Sequence, residues 1–159
     1  MKKYIPVVIV LLAYACSPKT ETMPGAESDR LPEKRPTDFT LNSHMDGGMS
    51  NHRSDLFISR DSCYFKDDDH GNVTWKKFSL SDAALDSLYS VLKENKFDQI
   101  VSTLDTLTLD RGGMDVYVYW EGGQRGVTAN DSGQMFIKEE SSKQWGAVLR
   151  YLDTLIPAQ

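Results

Sequence analysis

Cysteine is scarce in this 159-residue sequence, which contains only Cys16 and Cys63. If Cys16 is consumed at a processed N-terminus, Cys63 has no partner in its own chain, and the fold must rest on a hydrophobic core without a disulfide. Long apolar runs are also missing: the stretch at 5–13 is roughly half of what a helix needs to cross a bilayer, so a retained span is not expected there. Sequence motifs for common chemistries are missing as well. There is no G-x-G-x-x-G, P-loop, G-x-S-x-G elbow, H-E-x-x-H or paired C-x-x-C, so nucleotide binding, elbow-type hydrolysis and zinc binding have no motif behind them. Excess positive charge is lacking too. Residues 38–159 carry 19 acidic and 12 basic side chains, a formal −7, and such a domain is repelled by nucleic-acid backbones and by anionic lipid surfaces.

The N-terminus has a recognisable order. Lys2 and Lys3 precede the apolar stretch, and Ala13 and Ala15 lead directly into Cys16, as in a secretory signal peptide over residues 1–15. Cys16 resembles the acylated cysteine of a lipobox. Ala15 fits that pattern, whereas Ala13 stands where Leu is usual and Tyr14 is bulky; Ala13-Tyr14-Ala15 also satisfies the rule for ordinary secretory cleavage. The expectation is lipidation at Cys16, with several acyl chains forming a stable membrane anchor. Ser17 in place of Asp implies, by resemblance to the Gram-negative sorting pattern, an address in the cell envelope at the outer membrane.

Residues 17–37 hold four of the six prolines, mixed charge and no aromatic residue. That composition predicts a disordered tether over residues 16–37 that reaches roughly 60 Å from the anchor. About 120 residues then remain, enough for one core and too few for two.

Alternation of apolar and polar residues predicts strands at 38–43, 55–59, 73–78, 114–120 and 125–130, with a Gly47-Gly48 loop spanning 44–53. A two-residue turn at Arg60-Asp61 would set Ile58 opposite Cys63, Phe57 opposite Tyr64 and Leu56 opposite Phe65. The strand carrying Cys63, Tyr64 and Phe65 is expected to end at the run Asp67-Asp68-Asp69-His70-Gly71-Asn72. Ser81 is placed to cap a helix whose stripe is Leu85, Leu88, Val91 and Leu92, with Asn95 as a left-handed stop. Ser141, with Gln144 three residues later, is placed to cap a second helix that presents Trp145, Val148, Leu149, Leu152 and Leu155 and stops at Pro157. The segment from Phe97 to Leu109 is left as a possible strand. The predicted fold is α+β: an antiparallel sheet of about five to six strands with two helices packed on one face of a single domain at 38–159.

Asp46-Gly47-Gly48, Leu80-Ser81, Phe97, Asp115 and Gly122-Gly123 recur in an order that resembles a family of small Gram-negative lipoprotein domains of unknown function. Where that family often has Asp-Gly in its first hairpin, this chain has Arg60-Asp61-Ser62. The resemblance implies a fold and no activity, cofactor or site residue.

For function, the alternation leaves Phe57, Tyr64, Tyr117 and Tyr119 on the sheet face away from the helices, an aromatic surface for an envelope protein or a glycan. The competing expectation is structural, because Tyr119 opposite Gly126 is also how sheets shield a glycine. His44, His52 and His70 are ligand and general-base types, so a small hydrolytic or metal-dependent envelope enzyme is the alternative. Their spacing matches no metal motif, and no cofactor and no metal is expected. Cys63, within a strand, is expected to be a buried inert thiol. The leading expectation is a non-enzymatic envelope lipoprotein.

Overall fold

The structure is a computed structural model that describes residues 30–105 and 111–158. The expected signal peptide, Cys16, the first part of the expected tether and the end of the segment reaching Leu109 lie outside the described residues.

The main sheet has six antiparallel strands: β1 (Thr40–Asp46), β2 (His52–Ile58), β3 (Cys63–Asp69), β4 (Asn72–Phe78), β6 (Gly113–Trp120) and β7 (Arg125–Asn130), in the spatial order β4-β3-β2-β1-β6-β7. Two short strands, β5 (Ser102–Leu104) and β8 (Met135–Ile137), pair separately, and the helices are α1 (Asp82–Glu94) and α2 (Glu139–Leu155). This is the α+β fold the sequence predicts. Direct pairing puts Phe78, Cys63, Ile58, Leu41, Val118 and Val127 in one row from β4 to β7. That row faces the helices, and Leu85, Leu88 and Leu92 of α1 with Trp145, Val148 and Leu152 of α2 close over it. Each such side chain gains about 1.5–3 kcal/mol from leaving water, and the sum of these gains holds the sheet without a crosslink.

The hairpin registers agree with the alternation: Ile58 pairs with Cys63, Phe57 with Tyr64 and Leu56 with Phe65, while Tyr117 pairs with Thr128 and Tyr119 with Gly126. Ser81 caps α1 by accepting from the Ala84 amide at 3.2 Å. Cys63 is buried, its Sγ 3.5 Å from the Ser59 carbonyl.

Several expectations are corrected. Residues 30–37 are not free tether. Leu31 is 3% exposed in the core, its amide donates to Asp98 and its carbonyl accepts from Lys93 Nζ. Pro32 accepts from the Tyr89 hydroxyl at 2.7 Å, and Arg35 bridges Asp82 and Asp86 on α1. The segment is a strap whose one large apolar residue finds a slot. The ordered domain therefore starts by Arg30 rather than at 38.

The loop expected at 44–53 is shorter. β1 runs on to Asp46 and β2 begins at His52 because His44–Asp55 and Asp46–Arg53 continue the ladder. Gly48 donates to the Asp46 carboxylate at 2.9 Å and tightens the turn. The acidic run continues β3 instead of ending it: His70 and Gly71, with φ of 54° and 89°, make a two-residue hairpin turn to β4. The left-handed residue after α1 is Lys96, at φ 49°, not Asn95, whose side chain instead donates to the Val91 carbonyl. α2 starts at Glu139 with Ser141 inside its first turn, where Glu139 and Glu140 favour the positive end of the helix dipole.

Candidate binding face

The face opposite the helices is built by the same registers. One row across it reads Lys77, Tyr64, Phe57, Asn42, Tyr117 and Thr128 from β4 to β7; the next reads Trp75, Lys66, Asp55, His44, Asp115 and Asn130. Among the described residues, α1 and α2 pack on the opposite face. All four predicted aromatics lie on this face, but they are half-buried rather than fully exposed, and Asn42 on β1 divides them into two clusters.

In the first cluster Phe57 and Tyr64 stack with centroids 5.3 Å apart and planes 20° apart. Trp75, which is 55% exposed, sits 5.4 Å from Tyr64, and Lys66 Nζ lies 5.9 Å from the Trp75 ring. Trp75 was not among the aromatics expected to form this surface. The signal that identifies it is the His70-Gly71 turn, which fixes its register against Lys66.

The second cluster is Tyr117 and Tyr119, with ring planes 2° apart and centroids 6.2 Å apart. A Cβ on Gly126 would lie 2.7 Å from Tyr119 Cδ1, so the Tyr119 ring rests directly over that glycine. Residues i and i+2 of a strand are about 6.8 Å apart. The two rings are parallel and offset-stacked, with Tyr119 lying against Gly126 of β7. The glycine is what leaves room for the Tyr119 ring against β7. Burial, and after it the nearby Asp115 carboxylate, push the Tyr117 phenol above its usual range, so it stays protonated well past neutrality.

The polar row is tied together. His44 Nδ1 lies 2.6 Å from Asp55 Oδ1 and Lys66 Nζ 3.7 Å from Asp55 Oδ2. Asp115 accepts from Ser132 Oγ at 2.6 Å and from the Tyr117 hydroxyl at 3.5 Å. Comparison with protein-family models finds no family that matches this chain, and comparison with curated proteins finds no match. The site is therefore read from its own chemistry.

Beside Tyr117, a groove of about 790 Å³ wraps the outer edge of β7, lined by Thr128, Asn130, Arg30 and Gln99 together with apolar Ile100 and Met135. A second, tighter cleft of about 310 Å³ lies on the helix side, between Met45, Leu56, Phe65, Met114, Leu152 and Ile156. His52 stands at that cleft, Nε2 2.8 Å from Asp67 Oδ1.

The three histidines do not converge. His44 is on the open face, His52 on the covered face, and His70 in the β3–β4 turn, where its Nδ1 is 2.7 Å from Asp69. That contact holds the Asp69 carboxyl below its usual range. Among the described residues, no group of three or more His, Cys, Asp or Glu side chains is placed to hold a metal ion. Also among the described residues, no helix is long and apolar enough to cross a membrane.

Proposed function

We propose that this protein is a non-enzymatic cell-envelope lipoprotein, anchored through acylated Cys16, whose open sheet face holds a macromolecular partner of the envelope. The observation that carries this reading is the pair of aromatic clusters on the one sheet face that neither helix covers. Large amphipathic rings there are available to a partner, whereas rings needed only for the core would face α1 and α2. The charged, apolar and small-residue order before Cys16 supports the anchor, and Ser17 supports the outer-membrane address. The acidic balance of the domain argues against nucleic acid and leaves attachment to the lipid.

The test is retention on isolated envelope. The chain without its anchor, as Cys16→Ser, should wash off membranes at high dilution, yet sediment with envelope sheets added in excess. The further change of Tyr117→Ser with Tyr119→Ser should abolish that sedimentation while cooperative melting is kept. Persistence of Cys16→Ser with washed membranes through its own N-terminus would contradict the anchor, and tyrosine-independent sedimentation would contradict the binding face.

The His52–Asp67 pair at the tighter cleft favours a second reading, a small envelope hydrolase using His52 as general base. Turnover of small ester or amide substrates that disappears in His52→Ala would select it.

A further inference from the structure

We infer that the cleft on the helix side is a binding site for a soft monovalent metal ion, copper(I), held by the Met45 and Met114 thioethers and the His52 imidazole. The cleft lies on the other side of the sheet from the aromatic clusters, so this inference is independent of the open-face reading.

The register brings the three donors together. Met45 on β1 and Met114 on β6 are direct cross-strand partners, and both line the cleft. Directly opposed residues have Cβ atoms about 4.5–5.5 Å apart, so two flexible thioether side chains can bring their sulfur atoms to one point. On the other side of β1, Met45 pairs with Ser54, which puts His52 at the diagonal position on the same face, about 7–8 Å away. Three adjacent strands thus each place one donor beside a single space of about 310 Å³.

Two of the donors are held in place by neighbours. His52 Nε2 lies 2.8 Å from Asp67 Oδ1. An ionised carboxylate only accepts, so Nε2 carries the hydrogen and the neutral imidazole keeps its lone pair on Nδ1. Among the described residues no hydrogen-bond donor faces that Nδ1. A carboxylate on one imidazole nitrogen is the common companion of a metal on the other, because it fixes both the tautomer and the ring. The Met114 sulfur is fixed as well: Ser43, only 5% exposed, donates its Oγ hydrogen to Sδ at 3.0 Å. A second sulfur lone pair remains for an ion.

Charge and donor type select that ion. Asp67 and Asp153 line the cleft and no lysine or arginine does, so a cation is drawn in. Thioethers are soft donors that favour copper(I) and offer little to calcium, magnesium or zinc. Those ions need several oxygen, nitrogen or thiolate ligands, and among the described residues no group of three or more His, Cys, Asp or Glu is placed to supply them. Leu56, Phe65, Leu152 and Ile156 form the apolar wall, which limits the water that competes for the ion. The buried Cys63 lies at the far end of β3 from Asp67, roughly 13 Å away at strand spacing, and takes no part.

The experiment titrates copper(I), under argon, into the full chain carrying Cys16→Ser, so that no N-terminal thiol competes. Bathocuproine disulfonate serves as the competing chelator and reports the metal by its absorbance. The protein should hold copper(I) against it. Met45→Leu and Met114→Leu keep the volume of the cleft, and each should weaken binding by at least about tenfold, the lower end of the cost of disturbing even an outer partner of a metal. His52→Ala should do the same. Met135→Leu, in the groove along β7, and Cys63→Ala should leave the affinity unchanged. Silver(I), a redox-inert stand-in, gives a readout that needs no substitution in the cleft: the methyl NMR signals of Met45 and Met114 should shift together while those of Met49 and Met135 stay.

Failure to hold copper(I) against the chelator would overturn the inference. So would binding that survives Met45→Leu combined with Met114→Leu, or silver(I) that leaves both methyl signals in place. Zinc(II) held more tightly than copper(I) would overturn the thioethers as the selecting ligands.

Discussion

Leu41 and Asn42 are neighbours in the chain and opposites in the fold. Leu41 is fully buried between Ile58 and Val118, under the helices. Asn42 lies on the open face between Phe57 and Tyr117. The covered face spends its apolar residues on one another and holds the protein together. The open face keeps large rings half-buried, fixed by stacking and bordered by the Lys66–Asp55 ion pair and the His44–Asp55 hydrogen bond. On the proposed reading, stability and recognition fall to alternate residues of the same strands, and each can be altered with limited effect on the other.

The largest effect should come from striking the covered side. Leu41→Ala removes a fully buried side chain and is expected to lower unfolding free energy by about 2–5 kcal/mol in urea titration. Asn42→Ala, one residue on, should stay within about 0.5 kcal/mol. Equal losses would erase the division between the faces. Leu31→Ala tests whether the strap belongs to the covered side; about 2 kcal/mol is expected, at the low end because the strap can swing away. No change would return residues 30–37 to the tether.

Gly126→Ala sharpens the comparison from the open side. Its Cβ would meet the Val118 carbonyl oxygen and the Tyr119 ring, each at 2.7 Å. The expected cost is about 1–3 kcal/mol, with a change in tyrosine near-UV dichroism as the ring lifts.

The smallest effect is one of pH. Burial, followed by the Asp98 and Glu33 carboxylates, pushes the Tyr89 phenol from 10.0 up to about 12. Because the folded-state value is raised, the stabilisation is complete below pH 10 and is lost as pH climbs from 10 towards 12, where the unfolded chain ionises first. Tyr89→Phe should flatten that part of the melting profile, measured by thermal scans from pH 9 to 12. An unchanged alkaline slope would detach the strap from this hydroxyl.

Much of the candidate site was legible. Strict alternation in 114–120 and the Arg60-Asp61 turn set Tyr117, Tyr119, Phe57 and Tyr64 on one face, because a period of two leaves only two registers and one of them buries the wrong residues. Trp75 was missed as a member because its strand follows a polar turn and its alternation is weak. Asn42 as the divider was invisible, since it depends on β1 pairing with β6 rather than with another strand. Leu31 gave no signal, being a lone apolar residue among prolines and charges with no period to read. β5 and β8 escaped because three-residue strands carry too little pattern.

What the sequence determined by itself is local. Ser81 and the leucine stripe set α1, the alternation set the hairpins, and the residues leading to Cys16 set the expectation of an anchor, each within a few residues of chain where propensity and periodicity act. What only the tertiary structure decided is which elements meet. It inserted β1 between β2 and β6, so that two aromatic clusters share one face, parted His44 from His52 by one sheet thickness, and drew Leu31 into the core. These outcomes depend on burying apolar surface between segments distant in the chain, and no local pattern records that choice.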